Sequence, residues 1–346
     1  MAAGTGPYYT GIVLRAIAAS ILFTLSLAAS AQVASPHAIE HPAWFAQSFL
    51  DFRDDIADAA KAGKRLLVYF GQDGCPYCAR LMRTNFTQRS IVQKTRKHFV
   101  VIAINIWGDQ EVTWIDGTRM SEKAFAKRLK IQFTPTQIFF DEKGEVTLRL
   151  NGYYPPRRFE AALDYVAGRM DSKLAFPDYL ARTVKDEASE TLHPEPFFIS
   201  SPPNLTRRAG GKPLAVVFET AYCADCDEMH REGFQRPEVK AELAKFDVAR
   251  LALGKRTSIT TPDGKPARAD HWARDLKVVY TPSIVFFDPA GQEVFRTEAY
   301  LRPFHLSGSF AYVSSGAYAK EPSFQRFLQG RAERMQKEGK TVDLWK

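Results

Sequence analysis

Apolar runs and amphipathic stretches alternate along this chain in a pattern that predicts an α/β fold. A run of four to eight apolar residues between turns is typical of a strand buried on both faces, whereas apolar residues at three- and four-residue intervals are typical of a helix. In the first half of the chain, such runs predict strands over residues 66–70, 99–106 and 136–140, with 146–150 as the antiparallel partner of the third. The polar segment 107–120 predicts a hairpin.

Helices are predicted between these strands. Gly63 is a typical helix stop, and Ser121 is a typical amino-terminal cap. Pro76 stands early in a helix, where its missing N–H has no helical partner to lose. The predicted helices cover residues 44–62, 75–87, 121–130 and 158–168.

The pattern of the first half returns in the second half at an offset of 147 or 148 positions. Thr134 and Pro135 recur as Thr281 and Pro282, and each pair precedes a strand that ends in Phe-Phe-Asp. Many matches in one register indicate a tandem duplication. The corresponding elements are predicted at 214–218, 223–231, 246–253, 270–276, 283–287, 294–297 and from 310 onward.

Chain length and the N-terminus predict the domain organisation. A chain of 346 residues suits about two domains. An apolar stretch after Arg15 ends in Ala29-Ser30-Ala31, which is typical of a cleaved secretory signal. We therefore expect a periplasmic or secreted protein with no membrane anchor after cleavage. The predicted parts are a signal peptide (1–31), a first domain (38–172), a connecting helix and linker (173–200), a second domain (201–332) and a tail (333–346).

Cysteine occurs only as two Cys-x-x-Cys pairs, Cys75 with Cys78 and Cys223 with Cys226. The predicted pattern places each pair at the amino end of a helix, where unpaired backbone N–H groups and the helix dipole stabilise a thiolate. Because the thiolate is the species that attacks disulfides, we predict that Cys75 and Cys223 are nucleophiles. The cysteine one turn later faces the same side and is expected to resolve the mixed disulfide.

Other uses of these cysteines and other classes of partner fit the sequence less well. A zinc site needs four ligands, but the two pairs lie 148 positions apart. Haem attachment needs a histidine where Ala79 and Asp227 stand. The net charge of +8 comes from scattered Lys and Arg rather than from a block of like charge. We expect no metal, no cofactor and no nucleic-acid partner, whereas a structural disulfide stays an alternative.

The two Thr-Pro pairs add the second element of the pattern, because they follow Cys75 and Cys223 at nearly equal distances of 59 and 58 positions. A strand, a Cys-x-x-Cys pair, a second strand and a Thr-Pro before a Phe-Phe-Asp strand resemble the thioredoxin fold. The stretches Cys-Ala-Asp-Cys-Asp-Glu-Met-His at 223–230, Tyr-Leu-Arg-Pro-Phe-His at 300–305 and Tyr-Val-Ser-Ser-Gly-Ala-Tyr at 312–318 are similar to exported thioredoxins, including the SoxW-like type associated with sulfur oxidation.

This resemblance implies an α/β protein of two tandem thioredoxin-like domains. Each would have a central mixed β-sheet flanked by helices and a small insertion between the second strand and the cis-proline strand. The resemblance also implies that Pro135 and Pro282 are cis and lie against the cysteines. The backbone beside these prolines, at Thr134 and Thr281, would pair with the extended chain of a substrate.

The sequence departs from ordinary thioredoxins behind the cysteines. A buried aspartate of that family is replaced by Tyr69 in the first unit and by Val217 in the second. In that family the aspartate helps to move the proton of the resolving thiol. Asp73 and Glu219 are nearby acids that could substitute for it, although a solvated turn residue is the commoner interpretation of either. The position of a thioredoxin tryptophan is held by Tyr222 in the second unit and by a glycine in the first.

The residues inside the two motifs predict unequal centres. Pro76 and Tyr77 form the dipeptide of glutaredoxins, but residues 141–144 read Asp-Glu-Lys-Gly where that family has a glutathione-binding glycine pair, so we expect no glutathione binding. The second pair encloses Ala224 and Asp225, and further acids follow it. Negative neighbours disfavour a thiolate. This predicts the higher thiol pKa at the second centre, which would then be the stronger reductant and pass electrons to the first.

These observations predict an exported thiol–disulfide oxidoreductase that reduces protein disulfides and is itself re-reduced by an upstream thiol reductant, such as a membrane electron carrier. The alternatives are a disulfide oxidase or isomerase, and a non-catalytic binding module whose cysteines form a structural disulfide or bind copper. His230, His305 and Met229 are expected to be surface or packing residues rather than metal ligands.

Overall fold

The first domain has a four-stranded mixed sheet in the order β2-β1-β5-β6. The computed structural model describes Met1 and residues 38–184, 188–200 and 203–342. Strand β1 is buried along its whole length, pairs in parallel with β2 and pairs antiparallel with β5. The elements of this domain are α1 (Phe52–Lys61), β1 (Arg65–Gly71), α2 (Pro76–Arg80), α3 (Arg89–His98), β2 (Phe99–Asn105), β3 (Glu111–Thr113), β4 (Arg119–Ser121), α4 (Glu122–Arg128), β5 (Thr136–Phe140), β6 (Val146–Asn151), α5 (Pro156–Ala167) and α6 (Phe176–Thr183).

The second domain repeats this plan, with a sheet in the order β12-β11-β7-β8. The small hairpins β3–β4 and β9–β10 lie outside the main sheets and precede the cis-proline strands, which confirms the predicted insertions. The elements are β7 (Leu214–Glu219), α7 (Ala224–Glu228), α8 (Pro237–Leu243), β8 (Asp247–Ala252), β9 (Ser258–Thr260), β10 (Pro266–Arg268), α9 (Ala269–Asp275), β11 (Ser283–Phe287), β12 (Glu293–Thr297), α10 (Pro303–Ser314) and α11 (Phe324–Lys337).

Several predicted helix limits were wrong. Helix α1 begins at Phe52 rather than at residue 44, because Leu50 has a positive φ of 60° and Asp51 caps the helix by accepting a hydrogen bond from the Arg53 backbone N–H. The helix after each cysteine pair passes into a five-residue π-helical turn, at Leu81–Asn85 and at Met229–Gly233. Helices α3 and α8 were not predicted, and α10 begins at Pro303 rather than at 310.

The structure bears on the predicted domain organisation at both ends of the chain. The predicted signal peptide lies, apart from Met1, outside the described residues. Helix α11 continues through residue 332, so the segment predicted as a tail starts inside a helix. In the parts of the chain that the structure describes, no helix is both long enough and apolar enough to cross a membrane.

The two domains pack against each other reciprocally within one compact unit. Phe133, just before the first cis proline, is buried in the core of the second domain. Tyr280, at the equivalent position of the second domain, is buried in the core of the first. At the boundary between the domains, Asn151 of the first domain donates a hydrogen bond to Glu298, the residue at the equivalent position of the second domain. The duplication therefore yields an interface in which like elements of the two units meet.

Candidate functional site

The first cysteine pair lies where β1 ends and α2 begins. Cys75 is the cap of α2, and its Sγ accepts a hydrogen bond of 3.1 Å from the Cys78 backbone N–H. The two cysteines form a disulfide with their Cα atoms 5.2 Å apart. The Cys75 Sγ lies 3.3 Å from the carbonyl oxygen of Thr134, and the Thr134–Pro135 peptide bond is cis.

The second pair has the same geometry. Cys223 caps α7, and its Sγ accepts a hydrogen bond of 3.2 Å from the Cys226 backbone N–H. These cysteines also form a disulfide, with a Cα separation of 5.1 Å. The Cys223 Sγ lies 3.7 Å from the Thr281 carbonyl oxygen, and the Thr281–Pro282 bond is cis. The structure thus places each cysteine pair against its cis proline, as the resemblance implied.

This arrangement can carry out thiol–disulfide exchange. A backbone N–H aimed at the capping sulfur favours the thiolate over the thiol, and the second cysteine lies within bonding distance of the first. All four cysteine residues are at most 4% exposed. Access to either sulfur therefore depends on what lines the cleft above it.

The second domain covers the first centre. The Tyr77 hydroxyl, between the two cysteines, accepts a hydrogen bond of 2.8 Å from the Arg302 backbone N–H. The His305 ring lies edge-on to the Tyr77 ring at 5.2 Å. Burial lowers the pKa of His305 to about 4, so its imidazole is neutral near neutral pH. A cavity of about 300 Å³ beside Cys75 is lined by both domains, including Leu328 of α11.

A polar network joins α11 to the first centre. The Gln72 side-chain amide donates to the Thr134 hydroxyl at 3.2 Å and to the Gln325 side-chain oxygen at 2.9 Å. Gln325 in turn donates to the carbonyl oxygen of Gln132 at 3.0 Å. The Trp107 indole N–H donates to Gln72 from the other side. Helix α11 is thereby tied to the segment that leads into the first cis proline.

The first domain covers the second centre in the same manner. A cavity of about 450 Å³ beside Thr281 is lined by Leu180 and Val184 at the end of the first domain. These residues are equivalent to Leu328 and Ala332, which line the first cavity from α11. Each unit therefore ends in a helix that lines the cleft of the other unit.

The acidic residues near the second pair are bound to other groups. Asp225 accepts a hydrogen bond of 3.0 Å from the Tyr280 hydroxyl. Asp227 accepts a hydrogen bond of 2.8 Å from the Ser189 backbone N–H and lies 2.7 Å from the His193 ring. Both carboxylates thus interact with other groups as well as lying near the cysteines, and the higher thiol pKa at Cys223 stays a prediction.

A buried ionisable cluster lies behind the second centre, and sequence reasoning missed it. Glu219, at the end of β7, is 1% exposed, so its interpretation as a solvated turn residue was wrong. His230 lies between two carboxylates, with Nε2 2.6 Å from Glu219 and Nδ1 2.9 Å from Glu195. Burial lowers the pKa of His230, but the hydrogen bonds and charges of both glutamates outweigh burial and leave the pKa raised. The available signal was that His230 follows Cys226 by four residues, one helical turn.

The first domain has an uncharged group in the corresponding place. Tyr69 is buried, and its hydroxyl has no hydrogen-bond partner among the described residues. A Cβ on Gly71, the equivalent of Glu219, would collide with that hydroxyl. Asp73, the other acid considered for this role, is exposed and accepts from the Ile39 backbone N–H. The two centres therefore differ behind the cysteines, with a tyrosine at one and a glutamate–histidine cluster at the other.

The remaining predicted positions make none of the contacts described above for the two centres. Pro76 and Ala224 are the first residues of α2 and α7, and Ala224 is exposed. Within the described ranges, no group of three His, Cys, Asp or Glu residues is arranged to hold a metal ion. Even at His230, the imidazole separates the two carboxylates instead of converging with them on one point.

Comparisons with solved structures find thioredoxin-fold proteins that are similar to parts of this chain. A thioredoxin-fold protein from Helicobacter pylori is 23% identical and covers 39% of this chain and 90% of its own, with a TM-score of 0.32. A Thermus thermophilus thioredoxin is 24% identical, with 34% and 83% covered and a TM-score of 0.27. The oxidised C-terminal domain of Neisseria meningitidis DsbD is 17% identical, with 35% and 97% covered and a TM-score of 0.27. A search of curated proteins finds no match.

The family comparison covers more of the chain. The profile of the thioredoxin-like domain matches twice, over residues 52–167 and 206–314. Each match contains one cysteine pair and the cis proline that lies against it. Together the two matches span more than half of the sequence, and the chain belongs to the thioredoxin-like domain family, whose domain it carries in tandem.

Proposed function

We propose that this chain is an exported thiol–disulfide oxidoreductase that reduces disulfides in other proteins. The observation that supports it is the double occurrence of one geometry, in which a helix-capping cysteine lies against the carbonyl oxygen before a cis proline. Cys75 lies 3.3 Å from Thr134 in this way, and Cys223 lies 3.7 Å from Thr281. The signal-like N-terminus supports export to the periplasm or beyond the cell.

The reaction requires only the cysteines and two external dithiol or disulfide partners. The Cys75 thiolate attacks a substrate disulfide, forms a mixed disulfide and releases one substrate thiolate, which takes up a proton. The Cys78 thiolate then attacks the Cys75 sulfur and releases the second substrate thiol. The substrate gains two electrons, and the Cys75–Cys78 disulfide forms. An upstream thiol reductant returns the pair to the dithiol, and the same steps apply to Cys223 and Cys226.

Insulin reduction in the presence of a dithiol tests this function. We expect the full chain to accelerate insulin precipitation, and we expect Cys75→Ser and Cys223→Ser each to reduce the rate. A chain carrying both substitutions that matches the unmutated protein would remove the proposal. A Cys78→Ser or Cys226→Ser variant should trap mixed disulfides with substrate proteins, which identifies the partners.

The burial of all four cysteines supports a second candidate, a binding module in which both disulfides are structural. The two functions differ in how readily the disulfides open. In a reductase both pairs are reduced by a mild dithiol without unfolding, whereas structural disulfides of a binding module resist reduction until the chain unfolds. Thiol labelling against dithiol concentration, with circular dichroism as the folding control, separates them.

A further inference from the structure

A side chain of the first domain reaches into the second centre. Arg158, in the first turn of α5, is 7% exposed, and its Nη1 donates a hydrogen bond of 2.8 Å to the Thr281 carbonyl oxygen. The guanidinium also lies 5.0 Å from the centre of the Tyr280 ring. Both contacts cross the domain interface and end at the residues that lead into the second cis proline.

The carbonyl oxygen held by Arg158 is the one that the Cys223 sulfur contacts at 3.7 Å. The guanidinium and the sulfur therefore flank a single acceptor. Arginine stays protonated throughout the ordinary pH range. A nearby cation favours a thiolate over a thiol, and the effect is larger where water is excluded. Arg158 and Cys223 are both buried.

Other titratable groups surround the second centre, and one of them, Asp225, interacts with the same Tyr280 hydroxyl as Arg158 does. On α7, Asp225 accepts from the Tyr280 hydroxyl, and Asp227 lies against His193. Behind the cysteines, Glu219 bonds His230. Tyr222, in the turn before Cys223, is 49% exposed. Arg158 brings a permanent positive charge to the carbonyl beside the sulfur, next to a tyrosine ring that also interacts with the Asp225 carboxylate.

We propose that Arg158 is a positioning residue of the second centre, supplied by the first domain, which fixes the Thr281 carbonyl and stabilises the Cys223 thiolate. The position equivalent to Arg158 in the second domain is His305, so the first centre receives an imidazole where the second receives a guanidinium. The nucleophile of the second centre is thus activated by the docked first domain. This inference rests on the proposed function for its biological meaning, but thiolate stability is measured without any substrate.

The test uses the full chain with Cys75→Ser and Cys78→Ser, so that only the second centre carries thiols. After reduction, the rate at which iodoacetamide alkylates Cys223 is measured against pH by mass spectrometry. We expect Arg158→Gln to move the midpoint of this profile to higher pH and to slow alkylation near neutral pH by about tenfold, the equivalent of one pKa unit. Arg158→Lys keeps the charge and should restore most of the rate.

Arg157→Gln is the matched control, because Arg157 is the adjacent residue of α5 and is exposed. We expect it to leave the profile unchanged. An Arg158→Gln profile equal to that of the unmutated protein overturns the proposal, as does an Arg158→Lys variant that is as slow as Arg158→Gln. Circular dichroism shows whether Arg158→Gln folds. If it does not, the test rests on Arg158→Lys alone. An alkylation midpoint of Arg158→Lys that lies a full pH unit or more above that of the unmutated protein then overturns the proposal. Failure of insulin reduction, in contrast, would affect the proposed function and leave this profile interpretable.

Discussion

Phe133 and Tyr280 occupy equivalent positions in the two domains, and each is buried in the core of the other domain. Phe133 packs against the rings of Phe295 and Phe324, with centroids 5.6 and 5.7 Å away. Tyr280 packs against Tyr154 at 3.9 Å. Because both residues lie just before the cis prolines, the contact that joins the domains also fixes the segments on which both centres depend.

Loss of the Phe133 ring should destabilise the second domain, although the residue belongs to the first. Phe133→Ala removes a buried aromatic side chain, and we expect a loss of about 3 kcal/mol in the free energy of unfolding. Urea unfolding measures the loss, and hydrogen exchange should increase in α11, which contains Phe324. Phe49→Ala is the control, because Phe49 is 98% exposed. Unchanged exchange in α11 would contradict the expected coupling.

Release of α11 should open the first centre. Gln325→Ala removes the bond from Gln72 to α11 and the bond from α11 to the Gln132 carbonyl oxygen. We expect the Cys75–Cys78 disulfide to be reduced severalfold faster by a dithiol, with little change in stability, because the affected hydrogen bonds are only partly buried. The rate is measured by thiol labelling, and Gln336→Ala, at an exposed position of the same helix, is the control. Equal rates in the two variants would show that α11 does not limit access.

The buried cluster at His230 should make stability depend on pH. The pKa of His230 is raised in the folded protein, so its contribution to stability is complete below the unfolded pKa of about 6.5 and is lost as pH rises through the folded value. As pH rises above about 6.5, the urea midpoint of the oxidised protein should therefore fall more steeply than that of His230→Gln. His271→Gln, which alters a histidine that is 56% exposed, controls for loss of an imidazole. Parallel slopes for the unmutated protein and His230→Gln would contradict the prediction.

The close approach of Tyr69 to Gly71 should appear as a compensated pair of substitutions. Gly71→Ala places a methyl group against the Tyr69 hydroxyl, and we expect a loss of about 1–3 kcal/mol from overpacking. Tyr69→Val installs the residue that stands at the equivalent position of the second domain, Val217, and removes the hydroxyl, Cζ and Cε1, the atoms that would lie nearest to the added methyl group. On its own it should cost about 3 kcal/mol, because it replaces a large buried side chain by a small one. In the Tyr69→Val background, Gly71→Ala should cost much less stability than it does in the unmutated protein. A double-mutant cycle with no coupling energy would exclude direct contact as the cause.

Much of the fold followed from the sequence because its signals are local. The buried strands have continuous apolar runs, and the cis prolines follow the first cysteines at nearly equal distances of 60 and 59 positions. Helix α3 was missed because it buries only Ile91 and Thr95, which is too few apolar positions for a helical period. Helix α1 was predicted too long because the apolar residues before Leu50 pack without helical structure.

The interface and its site residues could not be predicted, because they depend on how two similar units dock. Arg158 and Gln325 are polar residues on the amphipathic helices α5 and α11. From sequence alone, such residues are expected to face solvent. Glu219 follows a buried strand and was expected in a turn, but it is paired with His230 from the helix packed above it. The contacts of these residues join positions that are far apart along the chain or on opposite sides of the domain interface. The periodicity of apolar residues within one segment does not predict such contacts.

The exchange of closing helices between the two halves has the form of a homodimer whose subunits are joined end to end. Helix α6 lines the cleft of the second half, and α11 lines the cleft of the first. A unit without the other half would lack the helix that lines its cleft, and two separate copies would supply this helix to each other only by association, which depends on protein concentration. Joining the copies replaces that dependence with a fixed local concentration set by the linker. The duplication also allowed the two clefts to diverge, as Arg158 and His305 at one ancestral position now show.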